Sequence, residues 1–167
     1  MSAAGLKCIN FFQEIPSMQY DIKTMTKAEI EDFLSQQKMG FLSLTDGETP
    51  YAIPLAYFYE DGCIYITIRP EGRKMVYIKS NKNACFAVCW VPEGFGMQKR
   101  NYISVICDGV LEQVTVPEDL RKAVRAGEKH MGMPEGTWNG ILEKTLLNPE
   151  ASSFWKIKVK AFGGKQV

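Results

Sequence analysis

Two Asp-Gly pairs, Asp46-Gly47 and Asp61-Gly62, divide the first half of this chain into short apolar segments. Asp-Gly is typical of the tight turns that join antiparallel strands, because these residues tolerate the positive φ angles that such turns need. The segments on either side of the turns have the length and composition of β-strands and cover residues 41–44, 51–59 and 63–68. The sequence therefore predicts a meander of three short antiparallel strands.

The rest of the chain predicts three more strands and a few helices. The strands cover residues 84–91, 102–116 and 154–162, and Asp108-Gly109 predicts a bulge or bend inside the second of them. In the last strand, apolar residues alternate with lysines, so that one face is buried and the other is wet. Six antiparallel strands with peripheral helices indicate a mainly β fold, a closed or partly closed barrel.

The predicted helices differ in how they begin. Thr26 and Glu29 match a capping box at the start of a helix that ends near Lys38, and Pro117 opens another that ends near Lys129. Further helices are predicted over residues 73–80 and 137–146. The helix at 73–80 follows Gly72 and begins with two cations, Arg73 and Lys74, which oppose the helix dipole.

The length indicates one domain, and the net charge near zero means that any site for an anion must depend on a local group of cations. With 167 residues, we expect an N-terminal extension (residues 1–24, with a short strand near Phe11 and Phe12), a single domain (residues 25–162) and a C-terminal tail (residues 163–167). A net charge of +1 predicts neither a nucleic-acid nor a membrane partner. No apolar stretch approaches the roughly 20 residues that cross a bilayer, and no signal peptide is evident.

The cysteines favour a cytoplasmic protein with reduced thiols. Their number, five, is odd, which fits free thiols better than a disulfide framework. Cys85 and Cys89 lie in the segment predicted to be a buried strand, where four residues separate their Cα atoms by roughly 13 Å. That spacing is too long for one disulfide or one tetrahedral metal, so we expect both side chains to pack in the core.

The segment from Arg69 to Lys74 is a candidate anion site. A strand that breaks at Pro70-Glu71-Gly72 and restarts as a helix brings free backbone N–H groups and cations to one point, where a phosphate can bind. On the residues alone, a solvated surface pair of cations is the favoured interpretation of Arg73 and Lys74, and the phosphate site is the alternative. Pro54, inside the second strand, indicates an edge, a bulge or a backbone left open to a ligand.

The single histidine limits the chemistry that the side chains can carry out alone. His130 is expected to be a surface or capping residue, and with no second histidine the chain builds neither a two-histidine metal site nor a Ser-His-Asp triad. No catalytic residue can therefore be named and no metal site is predicted. This pattern fits a protein whose bound cofactor carries the chemistry.

The order of these segments resembles a known family. Residues 51–55, 64–67, 71–74, 81–86 and 104–109, with the Gly72-Arg73-Lys74 block and its spacing to Ser104, are similar to the flavin-binding split β-barrel proteins related to pyridoxamine 5′-phosphate oxidase, especially the nitroimidazole-resistance-like branch. The resemblance covers residues 25–160 approximately. It implies a six-stranded antiparallel split barrel of the kind that binds flavin mononucleotide (FMN).

The resemblance also implies an assembly and a set of site residues. Relatives form homodimers with two FMN molecules at the subunit interface and pass electrons through flavin N5 to a small-molecule acceptor. By resemblance, Arg73 and Lys74 hold the phosphate, while Ser104 lies near the flavin and Trp155 closes the pocket. The remaining implied contacts with the ring and ribityl chain are Pro54, Leu55, Ala56, Thr67, Ile68, Arg69 and Gly72.

One segment departs from the family pattern. Relatives in the nitroimidazole-resistance branch carry a histidine and a small residue where this chain has Thr67-Ile68, and a small residue where it has Arg69. The additional cation favours a larger or more anionic cofactor, such as flavin adenine dinucleotide (FAD) or a deazaflavin. A non-catalytic flavin- or haem-binding module and a dimeric interaction protein without cofactor are the alternative functions.

Overall fold

The computed structural model describes residues 21–96 and 101–167. The strand expected near Phe11 and Phe12 and most of the expected N-terminal extension lie outside the described residues. In chain order the elements are β1 (Lys23–Thr24), α1 (Lys27–Gln36), β2 (Met39–Thr45), β3 (Pro50–Glu60), β4 (Cys63–Thr67), α2 (Arg73–Ser80), β5 (Asn83–Trp90), β6 (Ile103–Gln113), α3 (Pro117–His130), α4 (Asn139–Leu147), a 3₁₀ turn (Pro149–Ala151) and β7 (Phe154–Gln166).

Six of the strands close into an antiparallel barrel. The order around it is β7-β4-β3-β2-β5-β6, and β6 pairs again with β7 to complete the circle. The two-residue strand β1 pairs with the end of β7, outside this circle. The predicted mainly β fold, a six-stranded antiparallel barrel with peripheral helices, is therefore confirmed.

The bulge predicted at Asp108-Gly109 is present in β6. The register between β6 and β7 shifts between these two residues. At Gly109 an added Cβ would lie only 2.2 Å from the carbonyl oxygen of Lys158, so the two backbones approach each other too closely for any side chain. The glycine thus lets the long strand bend while remaining paired.

Strand β7 is longer than predicted. It continues past Phe162 to Gln166, with Gly163 paired to Ile106 and Gly164 to Val105 of β6. The prediction ended the strand where the alternation of side chains ends. Glycine has no side chain to alternate, yet its backbone continues the ladder of hydrogen bonds. The division of the chain at residues 24 and 162 itself stays a prediction.

Two apolar clusters hold the fold together. The first fills the barrel, and helix α1 adds Ile30, Phe33 and Leu34 to it. The second lies on the outside of the barrel, where α3 and α4 cover Phe58, Tyr65 and Phe154. One part of the outer barrel surface is thus covered by helices.

Among the helices that the structure describes, none has the length and apolar character needed to cross a membrane.

The expectation that Cys85 and Cys89 pack in the core is wrong. Alternate residues of β5, Ala84, Phe86 and Val88, point into the barrel and are buried, whereas Cys85 is half-buried and Cys89 is exposed. The segment is apolar on both faces, but only one face of a barrel strand reaches the interior. All four cysteines among the described residues are free thiols.

Candidate functional site

A cavity of about 500 Å³ lies at the edge of the helical cover, between the outer face of the barrel and the α3–α4 segment. The strands contribute an aromatic wall of Phe58, Tyr65 and Phe154. The helical side contributes Met131, Trp138 and Ile141. An apolar pocket of this size with few polar groups is typical of small-molecule and cofactor sites.

Strand pairing explains why the aromatic wall forms. Phe58 of β3 is paired with Tyr65 of β4, and Thr67 of β4 is paired with Phe154 of β7. Residues directly opposite each other in a sheet share a face, so these side chains meet on the outside of the barrel. The rings of Phe58 and Tyr65 are stacked, with centroids 5.0 Å apart and planes 5° from parallel.

Apart from the aromatic residues, the polar side chains that line the cavity are Thr67, Arg69 and Ser153. Thr67 and Arg69 are exposed, at the rim. Among the described residues, no carboxylate lines the cavity and none pairs with Arg69. The rim therefore presents a positive charge that is available to an anionic ligand. Three of the predicted site residues, Ala56, Thr67 and Arg69, meet at this one cavity.

A second group of predicted residues surrounds the start of α2. Gly72 is the N-cap, with φ of 91° and ψ of 176°, a conformation that is essentially restricted to glycine. It offers no side-chain cap, and the first turn of α2 contains no acidic residue. Lys74 Nζ donates to the carbonyl oxygen of Glu71 at 2.9 Å, which holds the ammonium group over the turn.

Arg73 is held at the same turn by two tyrosines. Its Nη2 donates to the hydroxyl of Tyr77 at 2.9 Å, and its guanidinium carbon lies 5.2 Å from the ring centroid of Tyr51. The hydrogen bond to Tyr77 raises the pKa of Arg73 above its usual value. These contacts fix the position of the guanidinium but leave some of its five N–H groups for another acceptor.

The two groups are connected through the segment between β4 and α2, because Arg69, at the cavity rim, precedes Arg73 by four residues. Tyr51, under Arg73, and Ala56, at the cavity, are five residues apart on β3, about 17 Å of strand, and lie on opposite faces: Tyr51 packs against the barrel core and Ala56 faces outward. The molecule thus presents cations at the start of α2 and an aromatic cavity at the other end of the segment from Arg69 to Arg73. A ligand with an anionic group at one end and a ring at the other matches this arrangement.

The remaining predicted residues are not in the cavity lining. Pro54 is exposed on the outer face of β3 and pairs with Phe41, whereas Leu55 points inward and packs against the barrel core. Ile68 and Trp155 are buried in that core. Ser104, partly buried on β6, pairs with Cys89 and Lys165 in a different part of the barrel.

Sequence reasoning missed the helical wall of the cavity. Met131, Trp138 and Ile141 lie in or beside α3 and α4, far along the chain from the predicted site, and their spacing suggests no binding motif. Phe58 and Tyr65 could have been found, because both belong to predicted strands joined by the Asp61-Gly62 turn. Helix position, by contrast, depends on tertiary packing.

His130 is more buried than expected. It ends α3, with its ring centroid 6.4 Å from those of Tyr57 and Phe58, and its Nε2 is buried without a hydrogen-bond partner among the described residues. Burial lowers its pKa, and the neighbouring charge of Lys38 acts in the same direction. His130 is thus a half-buried residue in the last turn of α3 and not a fully exposed one, and its ring packs beside Phe58 of the cavity wall.

A second hollow, of about 390 Å³, lies elsewhere on the outer face of the barrel. Its polar lining includes Ser43, Cys85, Asp108 and Lys160. Burial and a hydrogen bond with Asp108 raise the pKa of the Cys85 thiol, which keeps it protonated and poorly nucleophilic. None of the predicted site residues lines this hollow.

Comparison with known proteins identifies the family. The family model described as pyridoxamine 5′-phosphate oxidase matches residues 26–166, which is most of the chain. The chain belongs to the pyridoxamine 5′-phosphate oxidase family. The match begins at Thr26, the N-cap of α1, and ends at the last residue of β7. The resemblance inferred from the sequence is thus confirmed.

Solved structures share this family fold. A candidate 5-nitroimidazole antibiotic resistance protein from Bacteroides thetaiotaomicron superimposes with a TM-score of 0.69 at 24% identity, over 88% of this chain and 89% of that one. An FAD-binding protein from Mesorhizobium loti gives 0.61 at 22%, over 89% and 99%. An FAD-binding protein from Mycobacterium smegmatis gives 0.61 at 16%, over 87% and 99%. Among curated proteins, none is a significant match.

Proposed function

We propose that this member of the pyridoxamine 5′-phosphate oxidase family binds a flavin and is an oxidoreductase. The observation that carries the proposal is the arrangement after β4: an aromatic cavity with Arg69 at its rim and, four residues further on, an uncapped, cationic helix start at Arg73 and Lys74. A flavin nucleotide has the matching shape, with a phosphate at one end and a planar ring at the other. The family match supports the same ligand class.

The start of α2 fits a phosphate. The first N–H groups of a helix have no partner within it, and here neither a side-chain cap nor an acid compensates them. Arg73 and Lys74 add two cations at the same point, where each charge-assisted hydrogen bond contributes about 1.5–3 kcal/mol. Gly72 has no Cβ, so that an anion can approach the backbone of the turn closely.

The cavity fits the ring of such a cofactor. Its walls are aromatic and apolar, and its rim carries Thr67 as a hydrogen-bonding group and Arg69 as a cation. When bound, a flavin supplies two-electron transfer through N5, between a small-molecule donor and acceptor. The protein's own side chains bind and orient the ring and exclude water from it.

FMN is the form that we propose. The two cations at α2 suit one terminal phosphate, and FAD or a deazaflavin is the alternative because Arg69 offers a further cation beyond them. Two of the similar structures are of FAD-binding proteins, which keeps that alternative open for this chain. Haem is less well supported, since the single histidine, His130, packs under the cavity wall.

We also propose that the protein is a homodimer. The exposed face of the barrel, away from α3 and α4, carries an apolar row in which Pro54, Phe41, Ala87 and Ile106 are neighbours by strand register. Phe41 is 47% and Ile106 42% exposed. Next to this row Met39, 56% exposed, pairs with Ala56 of the cavity, so a second copy on this face would border the ligand.

A titration with two flavins tests the cofactor proposal. Riboflavin has the ring of FMN but no phosphate, and we expect the wild-type protein to bind FMN about 100-fold more tightly, as two charge-assisted hydrogen bonds would give. In Arg73→Ala/Lys74→Ala this preference should disappear while the circular dichroism spectrum is unchanged. A folded double variant that retains stoichiometric FMN would contradict the proposal.

Mass measurement tests the dimer. The wild-type protein should have twice the monomer mass by light scattering, and Phe41→Asp/Ile106→Asp should have the monomer mass, because each copy would place two charges in the interface. Leu147→Asp is the matched control, since Leu147 is 88% exposed on α4, away from the apolar row. A monomeric wild-type protein would be evidence against a homodimer.

A non-catalytic flavin-binding module is the second candidate. It is favoured by the cavity lining, where the described residues provide no histidine and no carboxylate as a general acid or base. Oxidation of a reduced nicotinamide by the flavin-loaded protein, with an added quinone as electron acceptor, separates the two. Multiple turnovers with each flavin would support the enzyme, and flavin binding without turnover would support the module.

A further inference from the structure

The loop before α4 is held by a buried carboxylate. Glu128 of α3 is only 1% exposed. Its Oε1 accepts the backbone N–H of Trp138 at 2.6 Å, and its Oε2 accepts the backbone N–H of Gly136 at 3.1 Å and Nη1 of Arg125 at 2.8 Å. Burial works to raise the pKa of Glu128, but the three hydrogen bonds outweigh it, and the net pKa is lowered. The charged carboxylate therefore fixes the backbone of Trp138.

The side chain of Trp138 is positioned by Gly127, which precedes Glu128 on α3. A Cβ on Gly127 would lie 2.5 Å from Cζ3 of Trp138 and 3.1 Å from Cε1 of Phe58. Gly127 has no positive φ angle, so the backbone of α3 does not require glycine here. Glycine inside a helix is unfavourable relative to alanine. The space that it leaves is occupied by the indole ring, which forms part of the cavity wall.

From this packing we infer that Trp138 contacts a planar aromatic ring bound in the cavity, and that Glu128 and Gly127 are the positioning residues that hold the indole in place. The inference rests on the proposed function only for the identity of the ring. The cavity has the stacked pair Phe58 and Tyr65 on the strand side and Trp138 on the helical side. Aromatic rings attract one another in stacked and edge-to-face arrangements, so a ring between these walls is favourable.

Two ligands could supply the ring. One is the isoalloxazine of the flavin itself, and the other is an aromatic substrate that binds beside a flavin already in place. Both place a planar aromatic ring against Trp138. They differ in which binding constant depends on the indole, and this difference can be measured.

A pair of glycine variants tests the inference. Gly127→Ala displaces the indole, whereas Gly140→Ala adds the same methyl group to α4, where nothing lies within 4 Å of it. Both positions are helical, so both substitutions favour the helix. The measurements are the dissociation constant of FMN, from flavin fluorescence, and that of quinoline, a neutral two-ring aromatic, for the FMN-loaded protein. Loss of one aromatic contact should weaken binding by about two- to tenfold in Gly127→Ala only.

The outcomes separate the two ligands. Weaker binding of FMN identifies the flavin ring as the ligand, and weaker binding of quinoline alone identifies a separate aromatic substrate. Unchanged constants for both, in a folded Gly127→Ala protein, overturn the inference. If Gly127→Ala does not fold, Trp138→Leu is compared with Trp138→Phe, and equal constants for these two overturn it.

The role of Glu128 has its own measurement. In Glu128→Gln an amide replaces the carboxylate and faces several N–H donors, so the indole loses its fixed orientation. The near-ultraviolet circular dichroism of Trp138, taken as the difference from Trp138→Phe, should decrease, together with the same binding constant that Gly127→Ala weakens. A purely structural Glu128 would lower stability and leave both readouts of the folded protein unchanged, which overturns its positioning role.

Failure of the proposed function gives a different result. If the wild-type protein binds no flavin, the proposed function is overturned and quinoline is titrated against the ligand-free protein. Binding that Gly127→Ala weakens would still support Trp138 as the ring contact. Absence of quinoline binding as well would overturn both.

Discussion

Helices α1 and α2 are both short, yet they begin in opposite ways. At α1, Thr26 Oγ1 accepts the backbone N–H of Glu29 at 3.3 Å, and the Glu29 carboxylate accepts the backbone N–H of Thr26 at 2.7 Å. Lys23 pairs with the same carboxylate. At α2, Gly72 supplies no side-chain acceptor, Met75 stands where α1 has Glu29, and the first two positions are the cations Arg73 and Lys74.

The N-terminus of α1 is therefore satisfied by the chain's own side chains, whereas the N-terminus of α2 is not. The capping box satisfies two orphan N–H groups of α1 and places a negative charge at the positive end of its dipole. Helix α2 leaves its first N–H groups without such a partner and adds two charges of the unfavourable sign. Its stability is provided by packing, through the buried Tyr77 and Ile78, and its N-terminus remains suited to an external anion.

Charge reversal at α2 should produce the largest effect. In Arg73→Glu/Lys74→Glu we expect FMN affinity to fall by about 1,000-fold or more, because two charge-assisted hydrogen bonds become repulsion. Stability of the ligand-free protein should change by less than about 1 kcal/mol, since acids favour this helix end while the contacts of Arg73 with Tyr51 and Tyr77 are lost. FMN titration and urea unfolding measure the two quantities.

The matched control is Lys79→Glu/Lys82→Glu, the same change in charge at the other end of α2. Here acids oppose the dipole, so stability should fall slightly and FMN affinity should remain within a few-fold of the wild-type value. Equal losses of affinity in the two double variants would show that net charge, and not the helix N-terminus, attracts the cofactor.

The contrast between the two helix starts was visible in the sequence. Thr26 and Glu29 have the spacing of a capping box, and the Gly72-Arg73-Lys74 run has the wrong charges for a self-sufficient helix. The barrel was also predictable, because the Asp-Gly turns and the bulge at Gly109 are local backbone requirements. Local chemistry of this kind acts over a few residues and is read directly from the chain.

The cavity wall was not predictable in the same way. Trp155 was expected to close the pocket, but it packs in the barrel core, and Trp138 lines the cavity instead. Which of two tryptophans faces the cavity depends on how α3 and α4 pack on the barrel. That packing depends on Glu128 and Gly127, whose contacts are tertiary and have no sequence signature.

Loss of the N-cap side chain of α1 should lower the stability of the fold without changing the affinity for FMN. For Thr26→Ala we expect the free energy of unfolding to decrease by about 1 kcal/mol, the usual cost of removing an N-cap side chain. FMN affinity should stay at the wild-type value, because α1 packs in the barrel core and is absent from the cavity lining. Urea unfolding and FMN titration of the same preparation test this, and weakened FMN binding would show that the two helix starts are coupled.

The smallest expected effect is a pH dependence at α1. The hydrogen bond from Lys23 and those from Thr26 lower the pKa of Glu29 from 4.5 to about 2. Because the folded-state pKa is the lower one, Glu29 stabilises the fold fully above pH 4.5, and this contribution is lost as the pH falls toward 2. The pair with Lys23 is exposed, so solvent and salt reduce the effect.

We therefore compare the unfolding midpoints in urea of the wild-type protein and Glu29→Gln at pH 6, 5, 4 and 3.5. The two midpoints should converge as the pH falls, because protonation of Glu29 removes from the wild-type protein the stabilising charge that Glu29→Gln lacks at every pH. Glu93→Gln, at an exposed glutamate in the loop after β5, should keep a constant offset from the wild type. Parallel curves for wild type and Glu29→Gln would mean that the α1 cap does not depend on the charge of Glu29. The comparison with α2 would then rest on the hydrogen bonds of Thr26 alone.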